Sequence, residues 1–134
     1  MLAKLFWGFS VSEELEFKRW FRTKFAGWSE THEPRHGSAM GMPDLQLLVK
    51  GSLLPVELKV GWVKGGRLFV SALRPAQIGW HIRFMREGGV ATIVVGIRKA
   101  SNGWVALSPP WTVDSLMGWK KGWPIVDCPL WTWE

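Results

Sequence analysis

The sequence is short of the residues on which several functional classes depend. It has one cysteine, Cys128, in 134 residues, which excludes an intramolecular disulfide and a cysteine-rich zinc site. No Gly-x-Ser-x-Gly elbow occurs, and Ser38 has no setting for Ser-His-Asp catalysis. A phosphate-binding P-loop is absent too. The stretch Leu5 to Val11 is apolar but too short for a bilayer, and Glu13 and Glu14 follow without a small-residue cleavage site. An intracellular, cytoplasmic protein without signal peptide or membrane contact is expected. Tyrosine is missing, whereas Trp occurs 11 times. Most of those rings are expected to fill a small core.

What is present fits one domain over residues 1–134, with a core of about 13–108 and a Trp/Pro-rich extension over 109–134. A hydrophobic content of 47% belongs to a globular chain. Lys and Arg total 17 against 11 acids, a formal charge of +6. That excess favours an anionic partner, nucleic acid first and an anionic membrane surface second.

Ser12 is a reasonable N-cap, and Glu13, Glu14 and Glu16 suit the positive end of a helix. Phe17, Trp20, Phe21, Phe25 and Trp28 recur at helical spacing, so a helix is expected from about Glu13 to Phe25, stopped by Gly27. His32 to Met42 reads as a loop. Strands over Leu45–Val49 and Leu54–Val60 are split by Lys50, Gly51 and Ser52, close enough for a hairpin. A loop over Gly61–Gly66 and a short strand at Arg67–Val70 follow. Ser71 can cap a helix beginning near Pro75, burying Ile78, Ile82 and Met85 and ending at Gly88-Gly89. Ala91–Ile97 has the apolar, β-branched character of a central strand, and Gly103–Leu107 can add an edge strand. From Pro109 onward Trp111, Trp119, Trp123, Trp131 and Trp133 follow neither period. That tail is expected to be irregular, wrapped on the domain or forming a partner surface. The class expected is α/β with a mixed sheet.

The chemistry concentrates in Gly41-Met42-Pro43-Asp44 and Pro55-Val56-Glu57-Leu58-Lys59. Glu57 and Lys59 are two apart on a strand and share a face, while Val56, Leu58 and Val60 take the other. A hairpin turning at Lys50 and Gly51 pairs residue 44 with residue 57, bringing Asp44 toward Glu57. Adjacent carboxylates repel unless a cation or shared proton relieves them. Hard oxygen ligands suit Mg²⁺, and Mn²⁺ is expected to substitute. Lys59 alongside can orient or deprotonate a water, or neutralise charge on a phosphate. The combination suits metal-assisted phosphodiester hydrolysis.

Gly41-x-Pro43-Asp44, twelve residues, then Glu57-x-Lys59 resembles the PD-(D/E)xK nuclease signature. The later Gly65-Gly66-Arg67-Leu68, Ser71 and Arg74-Pro75-Ala76-Gln77 look more narrowly like the VRR-Nuc branch, which is similar to Holliday-junction resolvases of archaea and phages. The match covers roughly residues 13 to 97 and leaves out the tail. It implies a restriction-endonuclease-like domain with an αβββαβ core and helices flanking the sheet. It also implies that Asp44 and Glu57 bind the metal with the Leu58 carbonyl, that Lys59 is catalytic, and that the first helix adds an acid. Helical phase favours Glu14 there, with Glu13 second and Glu16 third. Gln77 falls where this branch often carries a glutamine that helps hold the site; the alternative is an ordinary surface amide. Val60-Gly61-Trp62 departs from the Gly or Pro that often follows the lysine, which bears on the groove.

His32 and His36 are four apart, but Pro34 and Gly37 argue against the helix a metal pair would need. Arg35 and His36 instead suit phosphate contact from the loop before Asp44, and Lys64, Arg67 and Arg74 can line a DNA groove. The reading expected is a Mg²⁺-dependent DNA endonuclease selective for branched or irregular DNA, leaving a 5′-phosphate and a 3′-hydroxyl. Paired cuts in a four-way junction would need two sites, hence a symmetric homodimer, with the tail Trp residues as its surface. The alternative is a non-catalytic nucleic-acid-binding module using basic and Trp residues. A third reading is a structural or inhibitory phage protein that kept the fold for interaction.

Overall fold

The computed structural model describes residues 11–25, 28–30, 41–43, 45–99 and 103–131, with only the backbone of 11, 12, 28–30 and 49. The chain is α/β, a mixed sheet flanked by helices. Helix α1 covers Val11–Lys24, and Phe25 N–H still donates to Phe21 O at 2.9 Å. Ser12 therefore lies within the helix rather than capping it. The expected stop at Gly27 lies outside the described residues. Trp28 belongs not to a continued helical face but to strand β1 (Trp28–Glu30), whose backbone pairs with β2 (Leu45–Val49). Sheet pairing overrides the 3.6-residue spacing there.

The β2–β3 hairpin turns on two residues, because Val49 pairs with Ser52. Lys50 has φ 50° and Gly51 φ 82°, and two central residues at positive φ are what a type I′ turn requires. Strand β3 runs over Ser52–Lys64, so the loop expected at Gly61–Gly66 shrinks to Gly65-Gly66. Both glycines have positive φ, again closing a two-residue turn, into β4 (Arg67–Val70). Gly61 is a corner rather than a loop start. A Cβ there would lie 2.1 Å from Phe69 O, so only glycine lets β4 cross so closely.

Helix α2 covers Pro75–Arg86. Its N-cap is Arg74, not Ser71, and the Arg74 N–H donates to the Gln77 side chain at 2.9 Å. At the other end Gly88 N–H donates to Met85 O and Gly89 N–H to Phe84 O, with Gly88 at φ 85°. That is a Schellman closure at the expected glycines. Strand β5 (Thr92–Arg98) runs parallel to β3, and β6 (Trp104–Leu107) pairs antiparallel with β5.

Strand β3 is buried on both faces through its middle. Val56, Leu58 and Val60 join Leu45, Leu47 and Val94 under Phe17 and Phe21 of α1, with Trp104 and Ala106. The opposite face packs Ile93, Val95, Leu68 and Val70 against Ile78, Ile82 and Met85 of α2. Burying each Phe contributes about 2–3 kcal/mol. Phe17 also contacts the Trp104 ring at 5.2 Å and closes over Gly96, where a Cβ would meet its ring at 2.4 Å.

The tail is irregular and wrapped on the domain, with short regular pieces: α3 (Val113–Met117), 3₁₀ turns at Trp119–Lys121 and Ile125–Asp127, and β7 (Trp123–Pro124) against β4. Trp123 is buried, and Trp111, Trp119 and Trp131 pack against the two core clusters. Trp111 Nε1 donates to Ile93 O at 2.8 Å. These four rings serve the chain's own core rather than an exposed dimer surface; Trp133 lies outside the described residues. The Cys128 thiol is buried and donates to Pro124 O at 3.4 Å, and burial pushes its pKa up, so it stays protonated.

Candidate active site

The site lies where β3 changes partners on one edge. Hairpin pairing gives the even-numbered residues of β3 to β2, from Ser52 through Val56. The β4 ladder also uses even residues, since the Ser71 N–H donates to Val60 O at 2.9 Å and Lys64 closes the turn with Arg67. Strands β2 and β4 therefore follow one another along the same edge, and β5 takes the other. Among the described residues, that edge has a notch between the last β2 pair, Leu45↔Val56, and the first β4 pair, Gly61↔Val70. Leu58 is even-numbered, so its carbonyl is directed to the same edge, one pair before the Val60 carbonyl that the Ser71 N–H takes.

Glu57 is only 2% exposed. Its Oε1 accepts from Gln77 Nε2 at 2.5 Å. The orientation of that amide is fixed from behind, because the Arg74 N–H can only donate and therefore takes Gln77 Oε1. A buried amide thus presents its N–H to a buried carboxylate. The surface-amide alternative for Gln77 is excluded: it is among the most buried residues of α2.

Lys59 is also buried, with Nζ 3.6 Å from Glu14 Oε1 and 3.9 Å from Glu57 Oε1. Glu14, first choice by helical phase, is the acid of α1 that reaches it. Glu13 and Glu16 face Arg98 instead. Glu13 Oε2 lies 3.4 Å from Arg98 Nε, and Glu16 accepts from Arg98 Nη2. The guanidinium also sits 4.6 Å over the Trp104 ring, so the Arg98 cluster ties α1 to β5.

The glycine of the Gly41-x-Pro43 segment has a physical reason. Gly41 has φ +84°, and a Cβ there would lie 2.0 Å from Ala76 O and 2.7 Å from Gln77 N. Residues 41–43 thus pass against the first turn of α2, beside the glutamine that holds Glu57. The β2–β3 register is the expected one, and its last described pair is one step from the 44–57 position. Asp44 itself lies outside the described residues, as do Arg35, His36 and His32. Among the described residues no three His, Cys, Asp or Glu side chains form a metal-binding group.

Of the expected DNA contacts, Lys64 and Arg74 are exposed. Arg67 is engaged within the chain: its Nε donates to Lys121 O and its Nη2 to Gly122 O, each at 3.0 Å. It anchors the tail.

Sequence reading missed His81 as a buried group. It is 3% exposed, one turn beyond Gln77, edge-on to Trp80 at 5.2 Å. Desolvation lowers its pKa from 6.5 to about 4. Between those values the unfolded chain binds a proton that the folded chain excludes. Stability is therefore full above pH 6.5, falls as pH drops toward about 4, and levels off below. The loss across that window is about 3 kcal/mol. Urea unfolding at pH 7 and pH 5 should show this dependence, and His81→Leu should flatten it. An equal slope in the variant would assign it to other groups.

No helix among the described residues is long and apolar enough to cross a membrane. Neither a scan of protein-family models nor a search of curated proteins returns a match to this chain.

Proposed function

We propose that the protein is a divalent-metal-dependent DNA endonuclease. It would belong to the PD-(D/E)xK superfamily, near the VRR-Nuc and Holliday-junction-resolvase-like branch, with the restriction-endonuclease-like form of the α/β fold. One observation carries the reading. Glu57, Lys59, Gln77 and Glu14, carried by β3, α2 and α1, are joined by successive contacts beside the stretch of β3 that lies between its β2 and β4 pairs. A solvated Glu–Lys pair on a sheet face would need no buried amide behind the carboxylate.

The donor set fits a hard cation. Among the described residues, Glu14 and Glu57 against Lys59 leave an excess negative charge. Asp44, Glu57 and the Leu58 carbonyl would hold Mg²⁺ or Mn²⁺, whose oxygen preference they match. When bound, such an ion supplies electrophilic charge beside the scissile phosphate. Gln77 keeps Glu57 oriented by donating to its Oε1 in a buried place, where a carboxylate without partners would be costly. Glu14 and Glu57 hold the Lys59 ammonium beside that stretch of β3. There it orients the attacking water and neutralises charge gathering on phosphate oxygens. Water attacks phosphorus in line, a P–O bond forms, and the P–O3′ bond breaks. The departing 3′-oxygen ends as a hydroxyl, leaving a 5′-phosphate.

Branched DNA is the proposed substrate, with two copies of the chain supplying two cuts in a four-way junction. Four labelled substrates test this: four-way junction, flap, single strand and linear duplex, each with Mg²⁺. The junction should be cut fastest. Equal rates on linear duplex would remove structure selectivity, and metal-free binding without cutting on any substrate would favour a binding module instead.

A further inference from the structure

We propose that the β3–β4 hairpin is a docking site for unpaired DNA strand, with Trp62 and Phe69 as a base-stacking platform. This rests on the nuclease reading and adds a subsite to it. Trp62 and Phe69 are directly opposite in the ladder, with ring centroids 5.8 Å apart and planes within 20°. Trp62 is 36% exposed, on a strand otherwise buried through its middle. Two residues further toward the turn the opposed pair is Lys64 and Arg67, and residues two apart on a strand share a face. The hairpin therefore carries an aromatic pair and a cationic pair side by side.

The cationic pair is unfavourable in the protein alone, since like charges directly opposite destabilise a ladder. More positive charge is gathered beside it. The Arg67 bonds to Lys121 O and Gly122 O hold the Trp119–Lys121 turn against the hairpin. Lys120 and Lys121 are exposed there, with Lys120 Nζ 5.7 Å over the Trp119 ring. A polyanion relieves this repulsion. Rings beside cations are the arrangement that binds single strands, with bases stacking and the backbone following the charge. Duplex DNA hides its base faces and would gain only from the charge. The occupant is therefore an unpaired segment. Trp62 lies three residues beyond Lys59 on the same strand, roughly 10 Å along it and on the opposite face, so the platform adjoins the site along β3 rather than facing Lys59.

Binding of a fluorescent oligodeoxythymidine and of a matched duplex, both in EDTA, tests the proposal without cleavage. Trp62→Ala should weaken single-strand binding about tenfold or more and leave duplex binding nearly unchanged, while Trp62→Phe keeps most of it. Lys64→Ala should weaken both and reduce their salt dependence. Unchanged single-strand binding in Trp62→Ala, or equal loss on both DNAs, overturns the platform. Should Trp62→Ala fail to fold, photocrosslinking of the unmodified protein to an iodouracil oligonucleotide decides. Adducts on Trp62 or Phe69 support the site, and adducts confined elsewhere overturn it. Trp62-dependent binding in a protein that cuts no DNA would sink the nuclease reading and leave the platform standing.

Discussion

Glu57→Gln is expected to fold like the wild type and to lose at least about 100-fold in metal-dependent cleavage. The substitution keeps the shape and one carbonyl oxygen, which can still accept from Gln77 Nε2. It removes the negative charge that pairs with Lys59 and would hold the metal. Single-turnover rates on the junction substrate, with thermal unfolding alongside, separate the two effects. A variant that cuts at the wild-type rate would show that Glu57 serves only the fold. One that fails to fold leaves the question to Gln77→Glu. That variant keeps the size but sets a second carboxylate against Glu57, and should cut more slowly and need more metal.

Gly41→Ala is expected to cost roughly 3 kcal/mol or more in stability and to lower cleavage with it. Two penalties add. The backbone sits at φ +84°, and the new methyl would lie 2.0 Å from Ala76 O, a backbone atom that cannot swing aside. Gly51→Ala isolates the first penalty, because Gly51 has φ +82° with nothing within 4 Å of a Cβ. It should cost only about 1–2 kcal/mol and leave cleavage intact. Urea midpoints for the two variants measure the difference. If Gly41→Ala were no worse than Gly51→Ala, the packing of residues 41–43 on α2 would not matter to the fold.

The contrast between these glycines shows where sequence patterns reveal structure. Lys50-Gly51 and Gly88-Gly89 were legible as turn and helix stop because local backbone geometry decides them. The alternation of Val56, Leu58 and Val60 with Glu57 and Lys59 was legible because the strand period is short. Helical phase put Glu14 nearest the apolar face, whereas Glu13 is the buried acid of the three, against Arg98, and Glu14 is the one beside Lys59. What escaped reading depends on distant neighbours. β1 exists because Trp28–Glu30 finds β2. β3 continues through Gly61 because β4 crosses there, where a glycine alone suggests a break. Gln77 and His81 are polar residues on an apolar helix face, and only the packed sheet shows them buried. Trp111, Trp119, Trp123 and Trp131 lack a period because each packs on the core from irregular backbone.

The role of Arg67 follows the same pattern. Charge alone placed it with Lys64 and Arg74 in a DNA groove. Its guanidinium instead holds the tail through two backbone carbonyls while adding to the positive field at the hairpin.

Wild type and Lys59→Ala incubated with labelled four-way junction DNA in Mg²⁺, Mn²⁺ and EDTA separate metal-dependent cleavage from binding alone. The wild type should cut with either metal and not in EDTA, and Lys59→Ala should lose at least about 100-fold with its fold intact. Cutting that persists in EDTA, or in a folded Lys59→Ala protein at the wild-type rate, would contradict the proposed function.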